Sequence, residues 1–365
     1  MRIGLTYNLK PEITPSADDP IDRYEEFDSE ETVAAIAATL RNLGHEVERL
    51  GWGPALLDAL IRRDRGDRLD GVFNLAEGLG GRGRESQVPA LLEMLGIPNT
   101  GSDPVALAIA LDKGLAKVFA ADHGIATAPF LIVGADQALG RVDLRYPLFA
   151  KPVAEGSSMG IRNTSVCRNH AELAALVAQL QHDYRQPVLI EEFLSGDEYT
   201  VGVLGNGDGA EVVGLMQVLP RTPGGDFVYS LEVKRDYENQ VVYRMTDELL
   251  ASGAISPARL DAVRRLALAA HKVFACRDLS RVDIRCDRDG EPNFIEINPL
   301  PGLNPLHSDL VIIARGHGWD FQRLIARIFT VARERWAAAG PQTTADLALT
   351  TLDHHAANAQ DLRRC

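Results

Sequence analysis

Through the first hundred residues, short strand-like runs alternate with amphipathic helical stretches, and that order admits few folds. Arg2–Tyr7 is a β-rich run. Ser29–Leu43 sets Val33, Ile36, Ala37, Leu40 and Leu43 at helical spacing behind a Ser29/Glu30 start, and Gly44 stops it. His45–Leu50 reads as a second strand, Ala55–Arg63 as a helix, Val72-Phe73-Asn74 as the end of a buried strand, and Gln87–Leu95 as another helix. Parallel neighbours need a long crossover, so strand–helix–strand–helix order predicts a parallel sheet with helices on its faces. The turn-rich Asn99-Thr-Gly-Ser-Asp-Pro104 marks a junction, giving an α/β domain over residues 1–104.

The remainder mixes strands and helices without strict alternation. A helix over Val105–His123 leads to strands at Leu148–Lys151, Val166–Arg168 and Val188–Glu191, with a helix near Ala171–Gln181. Strands follow at Glu198–Leu204, Val212–Leu219 and Val241–Met245, then a long helix over Pro257–Cys276. Ser280–Cys286 and Asn293–Ile297 form a hairpin around Asp287-Arg-Asp-Gly290, and a last helix covers Gly318–Ala338. Residues 339–365 read as a loosely held tail. A length of 365 residues suits two or three domains.

Charge and composition exclude several classes. With 51 acidic against 38 basic residues the net charge is −13, which argues against a nucleic-acid-coating protein. No stretch approaches the roughly 20 apolar residues of a membrane span. The chain runs from Met1 straight into a strand, with no signal-peptide pattern. Cys167, Cys276, Cys286 and Cys365 are scattered with no CxxC pair, which suits a reducing compartment, the cytoplasm.

Three segments carry chemistry. In Lys151-Pro-Val-Ala-Glu155-Gly-Ser157-Ser158-Met-Gly160 a strand ends in a lysine and runs into a Gly/Ser loop, whose N–H groups and hydroxyls can wrap phosphate oxygens. It is not a P-loop, because no Gly-Lys-Ser/Thr closes it, and an ordinary solvated turn is the competing reading. In the C-terminal hairpin, Arg281-Val-Asp283 faces Glu296-Ile-Asn298. Side chains alternate along strands, so pairing gathers Asp283, Glu296 and Asn298 into an oxygen-rich patch beside Arg281, suited to Mg²⁺ completed by substrate phosphates. A merely solvated strand face would not explain polar residues interrupting Phe294, Ile295 and Ile297. The third segment, Val188-Leu-Ile-Glu191-Glu192-Phe193-Leu194-Ser-Gly-Asp-Glu198, offers an apolar slot with acids at its edge, as a nucleotide base and ribose require.

In this order the three segments resemble an ATP-grasp carboxylate–amine ligase, most closely the D-alanine–D-alanine ligase family, over about Ile3–Ile328. The resemblance implies a Rossmann-like N-terminal domain followed by a two-lobed α+β ATP-grasp fold, with lobes over residues 105–195 and 196–338. It implies that Lys113 and Lys151 hold nucleotide phosphates, that Ser157 and Ser158 lie in the loop closing over them, and that Glu191 and Leu194 sit at adenine and Glu198 at ribose. Asp283, Glu296 and Asn298 correspond to magnesium ligands (manganese being the alternative ion). Arg281 and the Gly302 N–H correspond to the oxyanion donors, and Lys234 to the lysine of the mobile loop over the γ-phosphate. A carboxylate activated by ATP as an acyl phosphate would be joined to an amine, with small-molecule amino-acid substrates and a homodimer expected.

The substrate positions depart from the family. Where the family carries a His-Gly pair this chain has Glu77-Gly78. The family's ammonium-gripping acid maps to Glu25 or Glu26 in the Asp18–Asp28 loop, and Arg235 stands where an aromatic is usual. One extra residue in Asn298-Pro-Leu-Pro-Gly302-Leu-Asn304-Pro-Leu-His307-Ser308 leaves either His307 or Ser308 at the carboxylate-binding position. These departures predict substrates other than two D-alanines, with a charged group. The alternatives are an ATP-grasp ligase of a specialised pathway and a nucleotide-binding regulatory protein without catalysis; retention of both lysines, the metal set and Arg281 speaks against the latter. Arg82-Gly-Arg84-Glu85 reads equally as a substrate contact or a solvated turn. His354-His355 is not a metal site, since adjacent residues do not share a helix face.

Overall fold

The computed structural model describes residues 1–10, 20, 22–63, 67–222, 224 and 226–340. Most of the expected tail, with His354-His355 and Cys365, and Asp18 of the N-terminal loop lie outside the described residues. Strand β1 (Arg2–Thr6) is central in a parallel sheet, flanked by β2 (Glu46–Gly51) and β3 (Gly71–Asn74). The crossover helix α1 (Glu30–Asn42) begins where Ser29 Oγ accepts from the Thr32 N–H at 3.2 Å. It ends before Gly44, whose φ of +84° is a backbone state glycine adopts without penalty. Val33, Ile36 and Leu40 on its inner face are fully buried, each contributing about 1.5–3 kcal/mol of burial. Helices α2 (Gly53–Ile61) and α3 (Gln87–Met94) complete this layer.

The single helix expected over Val105–His123 is two, α4 (Pro104–Leu111) and α5 (Lys113–Asp122). Asp112 leaves the helical region with ψ of +97° and caps the second helix, its Oδ1 accepting from the Leu115 N–H at 2.9 Å. The Lys113 N–H instead donates to the Val153 carbonyl at 3.0 Å, so a tertiary contact, not local propensity, breaks the helix.

Beyond the break lie two antiparallel sheets. One has the order β4 (Phe130–Val133), β7 (Val188–Glu192), β5 (Leu148–Pro152), β6 (Val166–Cys167), backed by α6 (His170–Tyr184) through Leu173, Val177 and Leu180. Strand β4, not expected from periodicity, is a four-residue edge strand with only Val133 buried. The second sheet runs β10 (Val241–Met245), β9 (Glu211–Pro220), β8 (Glu198–Asn206), β11 (Arg277–Cys286), β12 (Pro292–Asn298). Helix α10 (Pro257–Val273) covers one face with Leu260, Val263 and Ala267 against Tyr199, Val201 and Val282. Short helices α7 (Leu231–Arg235) and α8 (Tyr237–Gln240) precede β10, and α9 (Thr246–Ala251) follows it.

The chain then returns to its start. Helices α11 (Asp309–Gly316) and α12 (Phe321–Ala339) put Leu310, Leu324, Ile328 and Phe329 into the same core as Ile3, Leu5 and Ile36. Buried Asp278 fastens the closure, accepting from Arg335 at 2.6 Å, from the Gly101 N–H at 2.9 Å and from Asn206 at 3.1 Å. Cys167, Cys276 and Cys286 are buried, and among the described residues none forms a disulfide. Among the described residues no helix is long and apolar enough to cross a membrane.

Candidate active site

The β11–β12 register sets Arg281 opposite Asn298 and Asp283 opposite Glu296. The pairing then shifts so that Ile295 is an extra residue, and it lines a cavity beside Glu296. Arg281 lies 2.9 Å from Asp283 and 3.5 Å from Asp309, and Asn298 donates its amide to Asp283 at 3.2 Å. Lys113, projected by the start of α5, lies 3.3 Å from Glu296 and donates to the Glu155 carbonyl at 2.5 Å. Burial opposes ionisation of Glu296, yet Lys113, Lys151 and Arg281 together hold it well below the usual carboxylate range. Burial raises Asp283, against Arg281 and reinforced by Glu296.

Among the described residues no three His, Cys, Asp or Glu side chains form a metal-holding group. The hairpin set is of another kind. It has two carboxylates and an amide whose nitrogen is already donated, leaving the carbonyl oxygen to coordinate. Such hard oxygen donors, few in number, fit Mg²⁺ that retains water and phosphate ligands.

A second group lies behind the patch. Glu191 sits between two buried ammonium groups, Lys117 at 2.7 Å and Lys151 at 3.1 Å. Burial alone would raise its carboxyl, but the two lysines bring it down to about 2. Glu191 lines the same cavity as Leu194 and Phe193, and its carboxylate is paired with the two lysines. Lys117 was missed; its signal is the four-residue spacing from Lys113, which places both on one helix face. Glu198 is likewise committed, 3.0 Å from Arg285, whose guanidinium lies 4.7 Å above the Phe193 ring. Burial is the main cause that raises Glu198.

Lys151, Glu191, Glu198 and Arg285 line one cavity with an apolar slot of Phe149, Ile161, Phe193, Leu194, Val228 and Ile295. Ser158, Glu192, Lys234 and Tyr229 also line it. The Glu192 carboxylate turns outward to Arg145 at 3.0 Å. In the Gly/Ser loop Ser157 and Ser158 are both left-handed, at φ of +46° and +59°, and Ser158 donates to the Tyr229 carbonyl at 3.1 Å. Asp22, invisible to sequence reasoning, holds the loop's end by accepting from the Gly160 N–H at 3.1 Å, Arg162 at 2.9 Å and Tyr184 at 2.8 Å.

An adjoining cavity meets the first at Glu296 and is lined by Lys113, Ser157, Arg281, Asn298 and Gly302. Its far wall is acidic, with Glu26, Glu77, Glu85 and Glu155. Arg82-Gly-Arg84-Glu85 is thus no solvated turn throughout: Arg84 and Glu85 are buried, and Arg84 pairs with Glu26 at 2.6 Å. Glu25 and Arg235 pair with each other at 3.0 Å and line neither cavity. Ser308 accepts from the Asn304 N–H at 2.8 Å beneath Gly302, and neither it nor His307 lines the two cavities.

Two antiparallel sheets clasping a lysine-rich cleft, with an oxygen-donor hairpin at its border, define the ATP-grasp class of enzyme. The profile of the family described as D-ala D-ala ligase C-terminus matches residues 119–330. The chain is 35% identical over 303 residues to D-alanine--D-alanine ligase of Alcanivorax borkumensis, covering 83% of this chain and 88% of that protein. It is 33% identical over 322 residues to uncharacterized protein y4sG of Sinorhizobium fredii, covering 84% and 88%. D-alanine--D-alanine ligase from Bacillus anthracis complexed with ATP superposes with a TM-score of 0.68 at 21% identity, over 93% of this chain and all of that one, which shows the shared fold. The chain belongs to the D-alanine–D-alanine ligase family of ATP-dependent ligases that form carbon–nitrogen bonds.

Proposed function

We propose that this protein activates an amino acid or related carboxylate with ATP and joins it to an amine at the border of the two cavities, with specificity divergent from two D-alanines. The observation that carries the reading is Glu296, which lines both cavities, opposes Asp283 in register and lies 3.3 Å from Lys113. Lys113, Lys151 and Lys234 would hold the phosphates, and the Phe149/Phe193/Ile295 slot the base, near Glu198 and Arg285. A divalent cation, magnesium or manganese, held by Asp283, Glu296 and Asn298, would supply charge neutralisation at the phosphoryl oxygens.

Little covalent chemistry is asked of side chains in such a reaction; position and charge do most of it. The substrate carboxylate is brought beside Arg281, the terminal phosphoryl group is transferred to it, and ADP leaves. The amine then attacks the acyl carbon, with Arg281 and the Gly302 N–H donating to the developing oxyanion, and phosphate departs. One such donor is worth about 3–4 kcal/mol. The Gly/Ser loop, held at its end by Asp22, would keep water from the acyl phosphate when it covers the phosphates. Homodimerisation and a cytoplasmic setting belong to the same reading.

The test is ADP release over a panel of D- and L-amino acids, dependent on Mg²⁺. Glu296→Gln is expected to abolish turnover while ATP still binds; unchanged turnover would remove the metal assignment. Robust activity with D-alanine alone would refute the divergent specificity.

A further inference from the structure

The acidic wall of the second cavity holds more negative charge than its neighbours neutralise. Glu26 is answered by Arg84 at 2.6 Å, Glu155 accepts from Gln186 at 2.6 Å, and Glu296 has Lys113 at 3.3 Å. The other facing cation, Arg281, is occupied by Asp283 at 2.9 Å. Two carboxylates remain. Glu85 is 9% exposed and opens on the cavity, and its one ion contact among the described residues is Arg84 at 3.9 Å. That guanidinium already donates to Glu26 and, at 2.8 Å, to the Ala154 carbonyl. Glu77 lines the same cavity, fixed by its own N–H and that of Gly78 donating to Asn8 Oδ1 at 2.9 and 3.1 Å; among the described residues its carboxylate has no hydrogen bond or ion pair.

A buried carboxylate without a cation or hydrogen-bond donors is costly, and a ligand that brings the missing positive charge recovers that cost on binding. Burial and crowding act here as they would where a cation is missing: Glu77 is raised by burial, Glu26 and Glu85, and Glu85 by burial up to about 7 despite Arg84. A small neutral side chain such as that of alanine leaves both carboxylates uncompensated. We propose that the amine substrate of this cavity carries a second, non-reacting ammonium group, as in a diamine or basic amino acid, and that Glu77 and Glu85 receive it. This rests on the ligase reading above and names the substrate class of that site. The reacting amine lies toward Arg281 and Gly302, and the second ammonium reaches the opposite wall.

Calorimetric titration of the full chain, saturated with a non-hydrolysable ATP analogue and Mg²⁺, tests this with lysine and ornithine of both hands against norleucine and alanine. One of the basic amino acids is expected to bind at least ten-fold tighter than norleucine, its neutral counterpart in shape. Glu77→Gln and Glu85→Gln are each expected to cut that preference at least five-fold; they are independent, near-isosteric variants, so loss of one to misfolding leaves the other to report. Norleucine or alanine binding as tightly as the basic amino acids, or no amino acid binding while the ATP analogue binds, overturns the proposal alone. Failure of the wild-type chain to bind the ATP analogue overturns the ligase reading and the proposal with it.

Discussion

Glu191→Gln removes the one anion between two buried ammonium groups. Lys117 is fully buried and cannot recover water as a partner without opening the lobe, while Lys151, 2% exposed, has only the cavity face from which to recover one. The Glu191 carboxyl is lowered from an ordinary 4.5 to about 2. At about 1.4 kcal/mol per tenfold in proton affinity, that corresponds to about 3 kcal/mol of stability, in line with the roughly 3–5 kcal/mol for breaking a buried ion pair from one side. Because the folded-state value lies below the unfolded one, the contribution is complete above pH about 4.5 and is lost as the pH falls toward about 2. Urea unfolding followed by tryptophan fluorescence should show the variant about 3–5 kcal/mol less stable at pH 7, with the gap closing below pH 4. A loss under about 1 kcal/mol at neutral pH, or a gap that does not narrow in acid, would refute the assignment of Glu191 as the shared counter-ion.

Other perturbations probe separate parts of the molecule. Gly78→Ala is expected to cost about 1–3 kcal/mol in thermal unfolding, because φ is +70° and a Cβ there would press on the Arg84 carbonyl; a neutral effect would mean the turn relaxes freely. Arg285→Met should weaken ATP about 5–30-fold in nucleotide titrations by removing the cation over Phe193 and leaving Glu198 unpaired, about 1–2 kcal/mol; unaltered affinity would separate this pair from nucleotide binding. Asp28 is raised by burial to about 7, so the folded state holds its proton longer and stability declines as pH rises from about 4 to about 7. Asp28→Asn should flatten that decline and gain up to about 4 kcal/mol at pH 8, and an unchanged pH profile would exclude the group.

Sequence reasoning succeeded where a local rule is also the global one. The alternation of Arg281, Asp283, Glu296 and Asn298 needed only strand pairing to become a patch, and the register delivers it. Ser29 and Gly44 bound α1 because capping chemistry acts within one turn. It failed where a distant partner decides. Nothing in Leu111-Asp112-Lys113 interrupts helical periodicity; the Val153 carbonyl does. Glu25 and Arg235 look like two free substrate contacts until the fold, across 210 residues, pairs them. Glu191 sits in an apolar strand with no cation near it in sequence, and only the packing of α5 brings Lys117 to it. Glu85 could not be told from a surface acid until Arg84 was seen to turn inward to Glu26.

A chain of net charge −13 that binds a triphosphate has to keep its cations both buried and available. Here Lys113, Lys151, Arg281 and Arg285 face the cavities, and each is matched to a carboxylate: Glu296, Glu191, Asp283 and Glu198. Pairing keeps their burial affordable, but it also means that a phosphate oxygen must compete for each cation. The doubled lysine at Glu191 eases that competition. Were Lys151 to turn to a phosphate, as the proposed function has it, Lys117 at 2.7 Å would still neutralise Glu191, so no buried carboxylate would be stranded. On the proposed function, the corresponding role at Glu296 and Asp283 would fall to a divalent cation, which would supply the charge that Lys113 and Arg281 withdraw. The far wall of the second cavity follows the same logic with a different outcome. Among the described residues Glu77 and Glu85 have no second cation in reserve, and on the proposal above the charge they lack arrives with the substrate.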